Sequence, residues 1–219
     1  MVTLIFTSIY STIDSFFISN YVGKTEFSAV TFIAPVVMLL ASIGFMFGTG
    51  GSALIAKTFG EGDAEKANNI FSLIIYVSIV LGILMAVLGF VFLRPIAQTL
   101  GAKGDMLEYS VTYGHILLLA LPAFILQFEF QSLFSTAGKP QLCFYITVAA
   151  GLANILFDAL FVVVFKFGLK GAAVATFISL LIGGLTPLFY FALPNSSSLK
   201  ICKLSFSFSP LIKVVSNGF

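Results

Sequence analysis

NIFSLIIYVSIVLGILMAVLGFVFL, residues 69–93, runs from Asn69 to Leu93 without one charged side chain. A helix that spans a bilayer needs about 20 apolar residues. The run shows no alternation of apolar and polar positions, which favours a helix over a barrel strand. Its surroundings share its character. Of the 219 residues, 59% are hydrophobic and 9% are charged, whereas a soluble domain carries roughly 25% charged residues. So little charge cannot cover a surface that faces water. The chain reads as an all-α polytopic membrane protein.

Five further apolar stretches flank the first: Met1–Val22, Ala29–Ala56, Ser110–Thr136, Leu142–Phe165 and Gly171–Leu193. Polar turns separate them, among them KTFGEGDAEK (57–66), AGKPQ (137–141) and KFGLKG (166–171). The expectation is six transmembrane helices over residues 1–193. A polar linker is expected over 194–209, and a further apolar segment starts over 210–219. Loop charges do not set the orientation, because Lys and Arg divide six against five between the two sides. In IGFMFGTGGSA (43–53), Gly44 and Gly48 share a helix face, a pattern that lets another helix backbone come close. Residues 48–53 also fit the G-x-G-x-x-A spacing of dinucleotide sites. They lie inside a span with no strand–helix unit around them, so that reading is set aside.

Other chemistries find little support. No basic run points to nucleic acid. Cys143 and Cys202 lack metal-ligand spacing, and no Ser or Cys is placed with His115 as a nucleophile with its base. The apolar N-terminus has no basic n-region or cleavage site of a signal peptide. The expectation is a protein that is not an enzyme and has no cofactor.

The polar residues inside the spans carry the functional reading. Nine residues are acidic, and three of them, Asp14, Glu129 and Asp158, fall within spans. A charge at mid-membrane costs about 2.5–3.5 kcal/mol on insertion scales, so such groups face a cavity and are protonated or paired. Asn154 and Asp158 are four apart and lie on one helix face. Thr176 in the next span offers a hydroxyl, and Asp14 stands among Ser11, Thr12 and Ser15. No Lys or Arg lies in any span to neutralise either Asp. The compensating charge then comes from outside, as a proton or as a hard metal ion such as Na+ that suits oxygen ligands. The alternative is two unrelated Asp residues, each capping a kink or lining a helix contact. In LQFEFQSLF (126–134), Gln127 and Gln131 share a face and Glu129 is nearly opposite, so the three are candidates for a substrate cavity that they cannot all line together.

YSTIDSFFISNYVG (10–23), PVVMLLASIGFMFGTGGSALIAKTFGEGDAEKA (35–67), STAGKPQL (135–142) and NILFDALFVVVFKFGLKGAAVATFIS (154–179) together resemble the multidrug and toxic compound extrusion (MATE) family. The resemblance runs in family order over nearly the whole chain. It implies twelve helices in two six-helix lobes around a central cavity, and exchange of Na+ or H+ for amphipathic cations by alternating access. It implies a cation-coupling site in the N-terminal lobe, at positions matching Asp14, Asn154, Asp158 and Thr176, with Tyr113 matching a fourth-helix tyrosine. It implies a multi-pass protein of the cell membrane, in bacteria the inner membrane, with a cytoplasmic N-terminus. The family's chains are about twice as long, so the resemblance implies that residues 1–193 are one six-helix lobe with its first helix clipped, 194–209 the inter-lobe linker and 210–219 the start of a seventh helix. A second six-helix lobe is expected, in cis or as a second copy. Two alternatives stand beside this reading. One is a lipid-linked oligosaccharide flippase of the same superfamily, which would line its cavity with Arg or Lys. The other is an inactive inserted fragment.

Overall fold

A lipid-exposed backbone must satisfy its hydrogen bonds internally, and helices do so within one segment. The computed structural model of the chain describes residues 2–202 and 208–218, and the side chains of 7–202 and 210–218. Among the described residues there is no strand. The helices are α1 (Val2–Phe17), α2 (Lys24–Ala41), α3 (Ile43–Gly60), α4 (Ala64–Thr99), α5 (Gly104–Leu119), α6 (Leu121–Thr136), α7 (Pro140–Asp158), α8 (Gly168–Ala192) and α9 (Phe208–Gly218). Two π-helical segments extend α1 and α7, over Ile18–Val22 and Ala159–Val164.

Among the described residues the six apolar stretches are almost wholly helical; Ser42 and Ala120 interrupt two of them, and Phe165 and Leu193 lie just past helix ends. The stretch 69–93 sits inside α4, which has 36 residues. The stretch 29–56 falls within α2 and α3, which with Ser42 between them cover 37 residues. The segment 110–136, read as one span, is broken at Ala120 into α5 and α6. Pro122 explains the break: it has no N–H to give, and its ring crowds the carbonyl four residues back. The Ala120 N–H instead closes a tight turn on Leu117 O at 3.0 Å.

The chain divides into two compact units. The first comprises Met1–Leu40, Leu84–Leu121 and Thr147–Ile182, and the second Ala41–Ile83, Pro122–Ile146 and Gly183–Phe219. The first unit's core is aliphatic, with Ile18, Ile33, Leu93, Leu118 and Ala173 fully buried or nearly so. Ser110 Oγ donates to Ala29 O at 3.2 Å, tying α5 to α2. Ser179 Oγ donates to Ala150 O at 2.9 Å, tying α8 to α7. The second unit's core is aromatic. Phe191 sits at its centre, 5.1 Å from the rings of Phe71 and Phe134 and 5.6 Å from Phe130.

Small residues set the closest approaches in the second unit. A Cβ at Gly44 would lie 2.2 Å from Ile125 O, and one at Gly48 would lie 2.9 Å from the Cα of Glu129. Gly44 and Gly48 on α3 therefore meet Ile125 and Glu129 on α6 through backbone. Further along the same face, Ser52 bonds to the Thr136 hydroxyl. The expected linker begins as irregular chain that is pinned. Lys200 N–H donates to Asn68 Oδ1 at 2.8 Å, and Cys202 N–H donates to Ser72 Oγ at 2.7 Å. Residues 203–207 of that linker, and Phe219 of the expected seventh helix, lie outside the described residues. Over 208–218 the chain forms α9, which packs on α3 with Val214 O 2.0 Å from where a Gly50 Cβ would stand.

Candidate cation-coupling centre

Four helices of the first unit bring the expected site residues together. Asp14 is on α1, Tyr113 on α5, Asn154 and Asp158 on α7, and Thr176 on α8. Local packing explains how each arrives. On α5, Gly114 presses against Leu93 and Ile33, which seats the neighbouring Tyr113 inward. On α8, Ala172, Ala173 and Ala175 are fully buried, so the helix lies close to its neighbours around Thr176. A Cβ at Gly171 would meet Phe161 O at 3.0 Å, so α8 also approaches the π segment that follows Asp158.

Asp158 is 0% exposed, Asn154 2% and Tyr113 3%, while Asp14 and Thr176 are half-buried. The Asp14 and Asp158 carboxyls are close enough to act on one another, and among the described residues no cationic side chain acts on either. Tyr113 faces Asp14, Asp158 and Thr176. Asp14 Oδ1, both Asp158 oxygens and Thr176 Oγ1 are buried with no hydrogen-bond partner. Buried polar atoms are nearly always satisfied, so several orphaned oxygens in one place make this the candidate site. Two carboxyls in contact out of water need a shared proton or a metal cation between them. The centre offers a surplus of oxygen acceptors, and among the described residues no amine or guanidinium acts on it, a donor set whose chemistry suits a small positive ion.

Both carboxylates stand where the helix changes pitch. Asp158 is the last residue of α7 before its π segment, and Asp14 lies one turn before the π segment of α1. The wide turns close with Gly23 N–H donating to Ile18 O at 3.2 Å and Phe165 N–H donating to Leu160 O at 2.9 Å. The two π segments touch, and α1 also touches the second. Single-turn π segments within helices frequently sit at functional sites. Sequence reasoning missed both, since ISNYV and ALFVVV read as ordinary span. It also missed Tyr10, which lies one turn before Asp14 and senses that carboxyl. Its spacing of four from Asp14 was the available signal.

The remaining singled-out residues lie elsewhere. Thr12 spends its hydroxyl on Ser8 O at 2.8 Å. His115 stacks on Phe90 at 4.5 Å and bonds to Phe90 O through Nε2 at 3.2 Å, a packed residue. Glu129 is fully buried in the second unit, whereas Gln127 and Gln131 on the same helix are half-buried. The three do not share a face.

Known proteins align with this arrangement. A multidrug export protein MepA of Staphylococcus haemolyticus is 30% identical over 197 residues, which is 90% of this chain and 44% of that protein. An inward-facing multidrug resistance MATE family transporter of the MOP superfamily superposes with a TM-score of 0.89 at 23% identity, over 96% of this chain and 48% of that one. A MOP superfamily transporter from Pyrococcus furiosus, described as having a binding pocket of reverse polarity, gives a TM-score of 0.92 at 23% identity, over 100% of this chain and 48% of that one. The chain thus spans less than half the length of the relatives it matches. A family model described as MatE matches residues 1–160, the stretch that carries Asp14, Tyr113, Asn154 and Asp158, and the chain belongs to the MatE family.

Proposed function

We propose that the chain is the cation-coupling lobe of a secondary antiporter that exports amphipathic cations in exchange for Na+ or H+. One observation carries this reading: Asp14 and Asp158 converge with Asn154, Tyr113 and Thr176 in a buried centre with orphaned oxygens and no protein cation. A proton or Na+ entering it cancels the like-charge repulsion between the two carboxyls. Asn154 and Thr176 supply neutral oxygens to a metal ion, and Tyr113 supplies a hydroxyl. The ion shifts the balance between two helix arrangements by its differential affinity for them, and an exported cation does the same. Alternating access needs a second wall to the cavity, so the active unit contains a second six-helix lobe, in cis or as a second copy. It resides in the cell membrane of a bacterium, N-terminus in the cytoplasm.

The test is efflux of a cationic dye from proteoliposomes under an imposed Na+ or H+ gradient, with the transporter containing this lobe. Asp14→Asn and Asp158→Asn should each abolish gradient-driven efflux while the protein inserts and purifies normally. Gradient-driven efflux unchanged in both variants would overturn the proposal.

A further inference from the structure

A third carboxyl lies in the spans, in the second unit, and the centre described above makes no use of it. Glu129 on α6 is 0% exposed, and neither of its oxygens has a hydrogen-bond partner. The elements against it bring no countercharge. From α3 comes Gly48, whose missing side chain lets that backbone lie on Glu129 itself. From α4 comes Ser78, also 0% exposed, whose hydroxyl faces the carboxyl and has no other partner. The charged groups of these helices stand at their ends: Lys57 on α3, with its side chain 73% exposed, Glu65 and Lys66 at the start of α4, both exposed, and Arg94 near its far end, with Lys139 just past α6, while Tyr76 on α4 is 40% exposed. None acts on Glu129.

We propose that Glu129, with Ser78 beside it, is a second cation site of this lobe, and that the cation it holds is a proton. An ionised carboxylate enclosed by apolar helices with no partner is heavily disfavoured. Two carboxyl oxygens and one hydroxyl suffice for a proton. They fall short of the roughly six oxygens that a hard metal ion gathers. With the proton in place the carboxyl becomes a donor as well as an acceptor, and Ser78 Oγ is the acceptor within reach. The lobe then takes up positive charge at two places, and Asp14 and Asp158 alone do not set how many protons it carries.

Infrared difference spectroscopy of the purified full chain in lipid nanodiscs reads this directly. The protonated carboxyl C=O band should be present at neutral pH, persist in the Asp14→Asn/Asp158→Asn double variant, and vanish from that background on adding Glu129→Gln. Ser78→Ala should shift the band without removing it, by taking away the acceptor. Glu129→Gln alone should keep its thermal midpoint within about 3 °C of wild type, because a neutral isostere replaces a neutral group. Loss of the band in the double variant would overturn the assignment, as would a midpoint lowered well beyond that range. A band that millimolar Na+ abolishes would overturn it in favour of a sodium site. The persistence and loss of the band are read in a background where the first centre is already neutralised, so they stand apart from the fate of the antiport proposal.

Discussion

A methyl group added at Gly48 would lie 2.9 Å from the Cα of Glu129 and equally near its carbonyl oxygen. That approach admits nothing larger than hydrogen, so Gly48→Ala must push α3 from α6. Overpacking of this kind costs about 1–3 kcal/mol, and the thermal midpoint of the detergent-solubilised protein should fall. Gly60→Ala, on the same helix with nothing within 4 Å, should be neutral or stabilise by up to about 1 kcal/mol. Thr176→Val should behave in the opposite sense to Gly48→Ala. Removing a buried hydroxyl that has no partner leaves folding intact or slightly improved, yet loss of one oxygen should weaken coupling-cation affinity by about 10-fold. Calorimetric titration together with a melting curve separates the two effects. Much of the candidate centre was legible at this scale. Asp14, Asn154, Asp158 and Thr176 stand out because a polar group in an apolar run is expensive and needs a reason. Tyr113 entered through the family resemblance, and Tyr10 passed unnoticed, because tyrosine is an ordinary resident of a span.

Elements were legible in type. Long apolar runs have one solution in lipid, and all six runs proved helical. What the runs hid was their interior. Pro122 gave a local sign of the break at Ala120. The π segments gave none, because ALFVVV has the composition of any span, and a widened turn is settled by the helices packed on it rather than by the residues in it. A π turn amounts to one residue inserted into an α-helix, which gives a test. Deleting Val163 should restore regular α-pitch after Asp158 and rotate everything beyond it. The variant should insert and remain helical by circular dichroism, and should lose gradient-driven efflux in the complete transporter. At the turn between α4 and α5, Arg94 pairs with Glu108, but the two side chains are 50% and 59% exposed. Water screens such a pair, so Arg94→Ala should cost less than about 1 kcal/mol.

The whole molecule is organised against lipid. Along α4, Val80, Leu84, Val87 and Val91 are exposed, Val91 at 65%. In water this stripe would be a liability, and in a bilayer it is the surface. Val87→Arg should raise the apparent free energy of inserting this span by about 2.5–3.5 kcal/mol, less where the side chain snorkels to the interface. A translocon insertion assay on the isolated segment reads that directly. The aromatic core of the second unit makes a separate demand. Phe191→Ala removes a ring in contact with four others and should cost about 3–5 kcal/mol of stability, visible as loss of the monodisperse peak on heating. The membrane class was legible from composition alone, and the family from four quoted segments. The division into two compact units was not, since it cuts through the interiors of α4, α7 and α8 rather than at their ends.

PNSSSLKIC, residues 194–202, has the look of the softest place in the chain, polar and rich in serine. The side chains of Asn68 and Ser72 hold the amides of Lys200 and Cys202, Ile201 N–H donates to Phe191 O at 3.3 Å, and Leu199 is fully buried. A protease cuts what has opened, and opening here means breaking those bonds and lifting a leucine out of its seat. Trypsin should therefore spare Lys200 in the folded protein and cut there once Asn68→Ala has cast the segment loose. A stretch that reads as a hinge behaves as a weld.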